Sequence, residues 1–314
     1  MDIPEYFESF LEEISLSCRE KERISKAIKF LENFCSSDGP MDKSIIRLFT
    51  HGSFAHGTAL SPIEDHKDYD VDVMMILNLK SLGIGSRDPS SVLKWLTVRL
   101  RSYYECFSYL ENIPRIMQRQ RCVRIEYAAD FHIDVVPSYY EEEWFSPRID
   151  KSFLRVPDRD SNWWIKSNPE GFTNWFSSID AKHRGQLAKV VKMVKHWRDI
   201  KFDARHSPSS IILETLCGKC IPSTSDSDEE LFIGTVENIL SCLTKSFYSI
   251  SVLNPSLLNE NLGRNWECQD ISLFESKLKS ALKQAGEARD ARRFSTKIKL
   301  WSKILGDDFP EYLG

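Results

Sequence analysis

His51-Gly52-Ser53-Phe54-Ala55-His56-Gly57-Thr58 leads through a polar loop into Tyr69-Asp70-Val71-Asp72-Val73-Met74-Met75. A glycine-serine turn is followed by a run that alternates acid and valine, the period of a strand. Successive strand side chains point to opposite faces, so Asp70 and Asp72 share one face and Val71 and Val73 the other. Two carboxylates held together on an otherwise apolar strand repel each other unless a positive charge sits between them. A hard divalent cation with oxygen ligands fits that place. The turn upstream offers backbone N–H groups and the Ser53 hydroxyl to phosphate oxygens. Together the two segments predict a metal-nucleotide site.

The rest of the composition narrows the class. At 314 residues the chain suits two lobes or one large domain with a buried core. No apolar run approaches the roughly 18–20 residues that cross a bilayer. The N-terminal residues lack the basic and apolar regions of a secretory signal, so a cytoplasmic protein is expected. The eight cysteines are scattered and read as reduced thiols. A net charge of −4 argues against broad binding to long nucleic acid. Basic residues still cluster, at Arg115, Arg119, Arg121 and Arg124 and again from Lys182 to Lys201. Such clusters suit small anions such as nucleoside triphosphates, although each residue taken alone also fits a solvated face.

Working outward, apolar spacings of three and four from Glu5 to Phe34 predict one or two amphipathic helices. Ile45–Phe49 is expected as a strand entering the turn, Asp70–Leu77 as the acidic strand and Ser90–Leu110 as a helix. Cys122–Tyr127 and Phe131–Val136 alternate and predict an antiparallel hairpin ended by Pro137. Asp134 is then a third carboxylate on the same sheet, and an acid on an apolar strand is costly without a partner. Residues 138–165 read as loop. Helices are expected over Gly185–Ile200, Ser209–Lys219, Glu229–Ser246 and Leu273–Leu305. The predicted organisation is a mixed sheet lobe over 1–160 and a helical lobe over 161–314, with a cleft expected between them.

Three carboxylates from neighbouring strands can hold two Mg²⁺ ions roughly 3.5–4 Å apart, the arrangement of in-line phosphoryl displacement. On this reading Asp70 and Asp72 bridge the ions and Asp134 completes the one beside the nucleophile. Mn²⁺ can stand in for Mg²⁺. Ser53, next to Gly52, faces the β- and γ-phosphates.

Gly52-Ser53, Asp70-Val71-Asp72 and Asp134 together resemble the polymerase-β-like nucleotidyltransferases. Further segments narrow the resemblance to the cGAS/DncV-like group (CD-NTases), relatives of cyclic GMP-AMP synthase and oligoadenylate synthetase. They are Gly52–Leu60, Ile133-Asp134-Val135-Val136-Pro137, Ser167–Phe176, Leu187–Trp197, Pro208–Leu216, Asn254-Pro255 with Glu260-Asn261-Leu262, and Phe294–Phe309. The match runs from about residue 48 to 309. It implies an α+β fold, a mixed sheet lobe with a helical C-terminal lobe. It implies a Mg²⁺-dependent synthase joining nucleoside triphosphates into cyclic di- or trinucleotide messengers, with pyrophosphate released, in anti-phage (CBASS) signalling. Lys195 and Ser209 carry over as triphosphate contacts. Position 56 is histidine where such turns carry arginine, so His56 receives no phosphate role. In part of the family a C-terminal glycine is conjugated by a ubiquitin-like system, which here points to Gly314. A monomer is expected, with no membrane and no long nucleic acid as partner.

The bland readings set the terms of comparison. Asp-x-Asp on a strand is most often surface decoration; the turn before it and Asp134 after it reverse that here. Asp68 falls at the mouth of the strand and reads as solvated. Cys217-Gly218-Lys219-Cys220 has half a zinc spacing, but no second pair follows and it reads as the end of a buried helix. The rival activity is template-independent RNA tailing, which needs the same metals and an RNA acceptor. A non-catalytic sensor would have lost at least one of the three acids, and none is substituted.

Overall fold

The computed structural model describes residues 3–37, 44–62, 69–82, 88–107, 113–127, 131–142, 149–203, 205–223, 225–244 and 251–311. Asp68 and Gly314, both singled out above, lie outside them. The chain divides into two compact units. One comprises Ser17–His56 and Pro62–Thr173; the other comprises Met1–Leu16, Gly57–Ser61 and Asn174–Gly314. The boundary thus falls at Thr173 rather than at residue 160, and the first helix goes with the helical unit.

The sheet unit starts with helix α2 (Cys18–Ser37), strand β1 (Ile45–His51), the single turn α3 (Gly52–Ala55) and β2 (Tyr69–Leu77). Helix α4 (Pro89–Glu105), β3 (Arg115–Gln118), β4 (Val123–Tyr127), β5 (Phe131–Glu142), β6 (Ile149–Asp158) and β7 (Trp163–Ser167) follow. The strand order is β1-β2-β5-β4-β3, with β6 pairing β5 and β7 pairing β6. β2 and β5 are parallel, while β1–β2 and β4–β5 are antiparallel. The expected hairpin is therefore present, but β5 does not stop at Pro137. Its pairing with β4 ends at Val135 and its pairing with β6 begins at Tyr139, so the proline falls between two partners of that edge.

Residues 138–165, expected as loop, carry the rest of β5, all of β6 and the start of β7. Pro157 sits inside β6 opposite Trp164, and Leu154 and Val156 are buried against Met74 and Ile76 of β2. On β2, Val71, Val73 and Met75 are buried on one face; on the other, Asp70 and Asp72 precede the buried Met74 and Ile76. The strand is thus core over most of its length and polar only at the N-terminal end of one face.

The helical unit contains α1 (Ile3–Glu13), most of α5 (Pro169–Lys182), α6 (Gln186–Lys201), α7 (Ser210–Cys220), α8 (Asp228–Thr244), α9 (Cys268–Asp290) and α10 (Phe294–Leu305). Leu273–Leu305, read as one helix, is two, separated at 291–293. α5 was not anticipated, yet its start is encoded: the Asn168 side chain accepts from the Gly171 N–H at 2.9 Å, Pro169 follows as first helical residue and Glu170 lies in the first turn. α1 belongs to this unit because its aromatic face is needed there. Phe7 meets Trp301 at 4.8 Å and Phe309 at 5.3 Å, and Phe10 meets His196 at 5.2 Å between ring centres. Fully buried aromatics are among the largest apolar contributions a core receives.

Cys217-Gly218-Lys219-Cys220 does close a helix, and Gly218 is there for room: a Cβ would lie 2.5 Å from Trp175 Cη2. At Gly286 in α9 a Cβ meets nothing within 4 Å. Gly218→Ala should therefore lose about 1–3 kcal/mol to overpacking, whereas Gly286→Ala should gain up to about 1 kcal/mol of helix propensity. Urea denaturation of the two variants checks the opposite signs.

Candidate active site

One row of side chains crosses four strands. Register pairs His51 with Asp72, Asp72 with Asp134, and Asp134 with Arg124. Paired residues project to the same face, and neighbouring strands lie only about 4.8 Å apart. Asp70 is two residues before Asp72 and so shares that face. The three predicted acids therefore belong to one surface of two adjacent parallel strands. Asp70 is exposed, Asp72 half-buried and Asp134 buried at 9% exposure.

The row is charge-unbalanced. Arg124 donates from Nε to Asp134 Oδ1 and from Nη2 to Asp134 Oδ2, both at 2.8 Å, a bidentate pair. At the other end His51 brings no charge near neutral pH: burial, with His56 nearby, pushes its pKa down to about 4. Its Nε2 is buried with no hydrogen-bond partner among the described residues. Burial and then Asp134 raise the Cys122 thiol well above its usual range, so it too stays neutral. Among the described residues of the row, one guanidinium and three carboxylates share the face. The donor chemistry fits a hard divalent ion, being carboxylate oxygen without thiolate. The side chains do not form a closed cage: among the described residues no group of three or more His, Cys, Asp or Glu is set to hold a metal ion. The backbone register brings the acids together; Asp134 turns both its oxygens to Arg124.

The turn is shaped to the acids. Gly52 has φ +69, the left-handed region, and a Cβ there would lie 2.5 Å from Asp72 Oδ2. Ser53 follows in the first turn of α3, half-buried. His56 is buried and its Nε2 lies 2.9 Å from Thr173 Oγ1, so it anchors the turn within the sheet unit.

Lys195 and Ser209 belong to the helical unit and differ from each other. Ser209 is exposed as N-cap of α7, and its side chain makes no capping bond. Lys195 is 5% exposed. Its Nζ donates to the Thr58 carbonyl at 2.9 Å and lies 3.8 Å from Glu214 Oε1, which accepts from Thr58 Oγ1 at 2.6 Å. Its charge is held in an interior network rather than offered to solvent. Arg198 donates to the Pro208 carbonyl at 3.0 Å and so braces the start of α7.

Sequence reading missed Arg124 and Glu214. Arg124 was seen only as part of a basic cluster, although its place opposite Asp134 follows from the hairpin register. Glu214 gave no signal beyond an acid within an apolar helix, which by itself implies a buried cation.

The model of the second messenger oligonucleotide or dinucleotide synthetase domain (SMODS) matches residues 1–179. A protein named c-di-GMP synthase from Roseivirga ehrenbergii is 26% identical over 271 residues, covering 78% of this chain and 68% of that one. A probable cyclic AMP-AMP-GMP nucleotide synthase from Salmonella paratyphi B is 22% identical over 99% of this chain and 92% of its own length. Among solved structures, the CD-NTase CdnG of Bradyrhizobium diazoefficiens in complex with GTP superposes with a TM-score of 0.76 at 14% identity, over 97% of this chain and 96% of that one.

Two outcomes follow from the packing. Gly52 and Gly57 have nearly the same φ, +69 and +68, but a Cβ at Gly57 meets nothing within 4 Å. Gly57→Ala should cost only the backbone strain of about 1–2 kcal/mol; Gly52→Ala should cost about 1–3 kcal/mol more, as Asp72 is displaced. Chemical denaturation resolves the difference. Glu214→Leu should lose about 3–5 kcal/mol by leaving Lys195 unpaired in the interior. A double variant with Lys195→Met should recover most of that loss in the same measurement.

Proposed function

This chain belongs to the second messenger oligonucleotide or dinucleotide synthetase family, and from that membership we propose that it joins nucleoside triphosphates into a cyclic di- or trinucleotide messenger, releasing pyrophosphate, in anti-phage (CBASS) signalling. The observation that carries the reading is the pairing of Asp72 with Asp134 on adjacent parallel strands, with Gly52 leaving room for the Asp72 carboxylate.

Asp70, Asp72 and Asp134 would hold two Mg²⁺ ions. When bound, these ions polarise an attacking ribose hydroxyl and neutralise the triphosphate and the departing pyrophosphate. The rest falls to the chain's own groups. Asp72 and Asp134 sit on rigid strands, so their carboxylates hold their separation as the reaction proceeds. The left-handed Gly52 turns the chain so that the Ser53 hydroxyl and backbone N–H are offered to the β- and γ-phosphates. Ser209, exposed at the start of a helix of 11 residues, is the second phosphate contact, where the helix dipole favours negative charge. Lys195 acts differently from the expectation for its helix. With its Nζ on Thr58 and beside Glu214, it positions the segment that leaves the turn rather than touching phosphate.

The bond made is between a ribose hydroxyl oxygen and the α-phosphorus of a second nucleotide, and the bond broken is that to the β-phosphate bridging oxygen. Repeating the step between the ends of the linear product closes the ring.

Incubation with all four nucleoside triphosphates and Mg²⁺, followed by mass analysis, should give a nuclease-resistant cyclic product and pyrophosphate. A labelled RNA in the same mixture should keep its length; extension would favour RNA tailing instead. Asp72→Asn and Asp134→Asn should each cut pyrophosphate release by about a hundred- to a thousandfold, the range of losses when a charge-stabilising group is removed, with an unchanged circular dichroism spectrum. Release at the unaltered rate in either variant would sink the assignment.

A further inference from the structure

We propose that Arg124 is an internal counter-ion for Asp134 that a divalent cation must displace or repel before the acidic face can bind it. The inference rests on the metal-site reading given above and adds a regulatory residue to it.

The geometry is specific. Arg124 engages both oxygens of Asp134 at 2.8 Å, and its side chain is 23% exposed against 12% for Asp134. Arg124 and Asp134 are register partners, so the guanidinium arrives along the same row and on the same face as Asp72. An arginine that merely steadies a metal ligand from behind takes the oxygen turned away from the metal. Here both oxygens are taken at once, from the face where the acids lie. Among the described residues the carboxylates do not come together as a ligand set.

The electrostatics favour the same conclusion. Asp72 and Asp134 stand on adjacent strands and Asp70 on the same face, so the face without a bound cation carries like charges at short range. Arg124 supplies compensation at Asp134, engaging both of its oxygens. A guanidinium is permanently charged and cannot withdraw by deprotonation. A divalent ion approaching Asp134 meets that charge, and binding must absorb the repulsion as well as the loss of a bidentate pair. The consequence is a raised threshold: the acids stay ordered without metal, and the ion binds more weakly than three free carboxylates would bind it.

The test is direct binding of Mn²⁺, read by electron paramagnetic resonance of the free ion, with thermal melting alongside. Arg124→Gln should bind Mn²⁺ about tenfold more tightly than the unaltered chain, melt lower in its absence, and rise further when it is added. Arg124→Lys keeps the charge but cannot engage both oxygens, so it should bind about threefold more tightly. Unchanged or weaker Mn²⁺ binding in Arg124→Gln would overturn the proposal, since an arginine that only orients Asp134 gives that result. If Arg124→Gln fails to fold, the same outcome in Arg124→Lys decides it. Failure of the metal-site reading is separately visible: Asp72→Asn would then bind Mn²⁺ as tightly as the unaltered chain.

Discussion

Two carboxylates on adjacent parallel strands, Asp72 and Asp134, are the constraint to which the sheet unit answers. Side by side at strand spacing they destabilise the face they share, and no packing of apolar neighbours relieves that. Each visible relief is a specific residue. Arg124 comes from the next strand to take both oxygens of Asp134. Gly52 lacks the Cβ that would collide with Asp72. The same strand β2 then turns apolar on that face at Met74 and Ile76, where β6 covers it with Leu154 and Val156. Charge is confined to the open end and the rest of the strand is core.

The helical unit handles buried charge by the same logic. Lys195 and Glu214 are both under 6% exposed, and each would be costly alone. Thr58 joins them, giving its carbonyl to the lysine and its hydroxyl to the glutamate. Gly57–Ser61 belongs to this unit although the residues on either side belong to the other; Thr58 joins the Lys195–Glu214 pair, and Ser61 donates its N–H to the Ile14 carbonyl at 3.0 Å and its hydroxyl to the Ser15 carbonyl at 3.0 Å. The chain changes units immediately after His56, whose ring is fixed to Thr173 on the sheet side. The five-residue segment is thus held by the buried network at Thr58 and by the Ser61 bonds to Ile14 and Ser15, while His56 just before it stays on the sheet side.

This division explains which parts were legible. The common face of Asp70, Asp72 and Asp134 was readable because strand alternation is a short-range rule and each acid interrupts an apolar run. The hairpin of β4 and β5 was readable for the same reason, and with it the register that sets Arg124 against Asp134, though the pair itself was not drawn. β6 was not readable because Pro147 and Pro157 carried the signals of a loop, and only its neighbours show that Pro157 can face Trp164 within a strand. The start of α5 was written in Asn168-Pro169-Glu170, a capping side chain, a first-turn proline and a first-turn acid. Lys195 shows a different limit. Its burial could not be read because its partners, Glu214 and the Thr58 carbonyl, are distant from it in sequence.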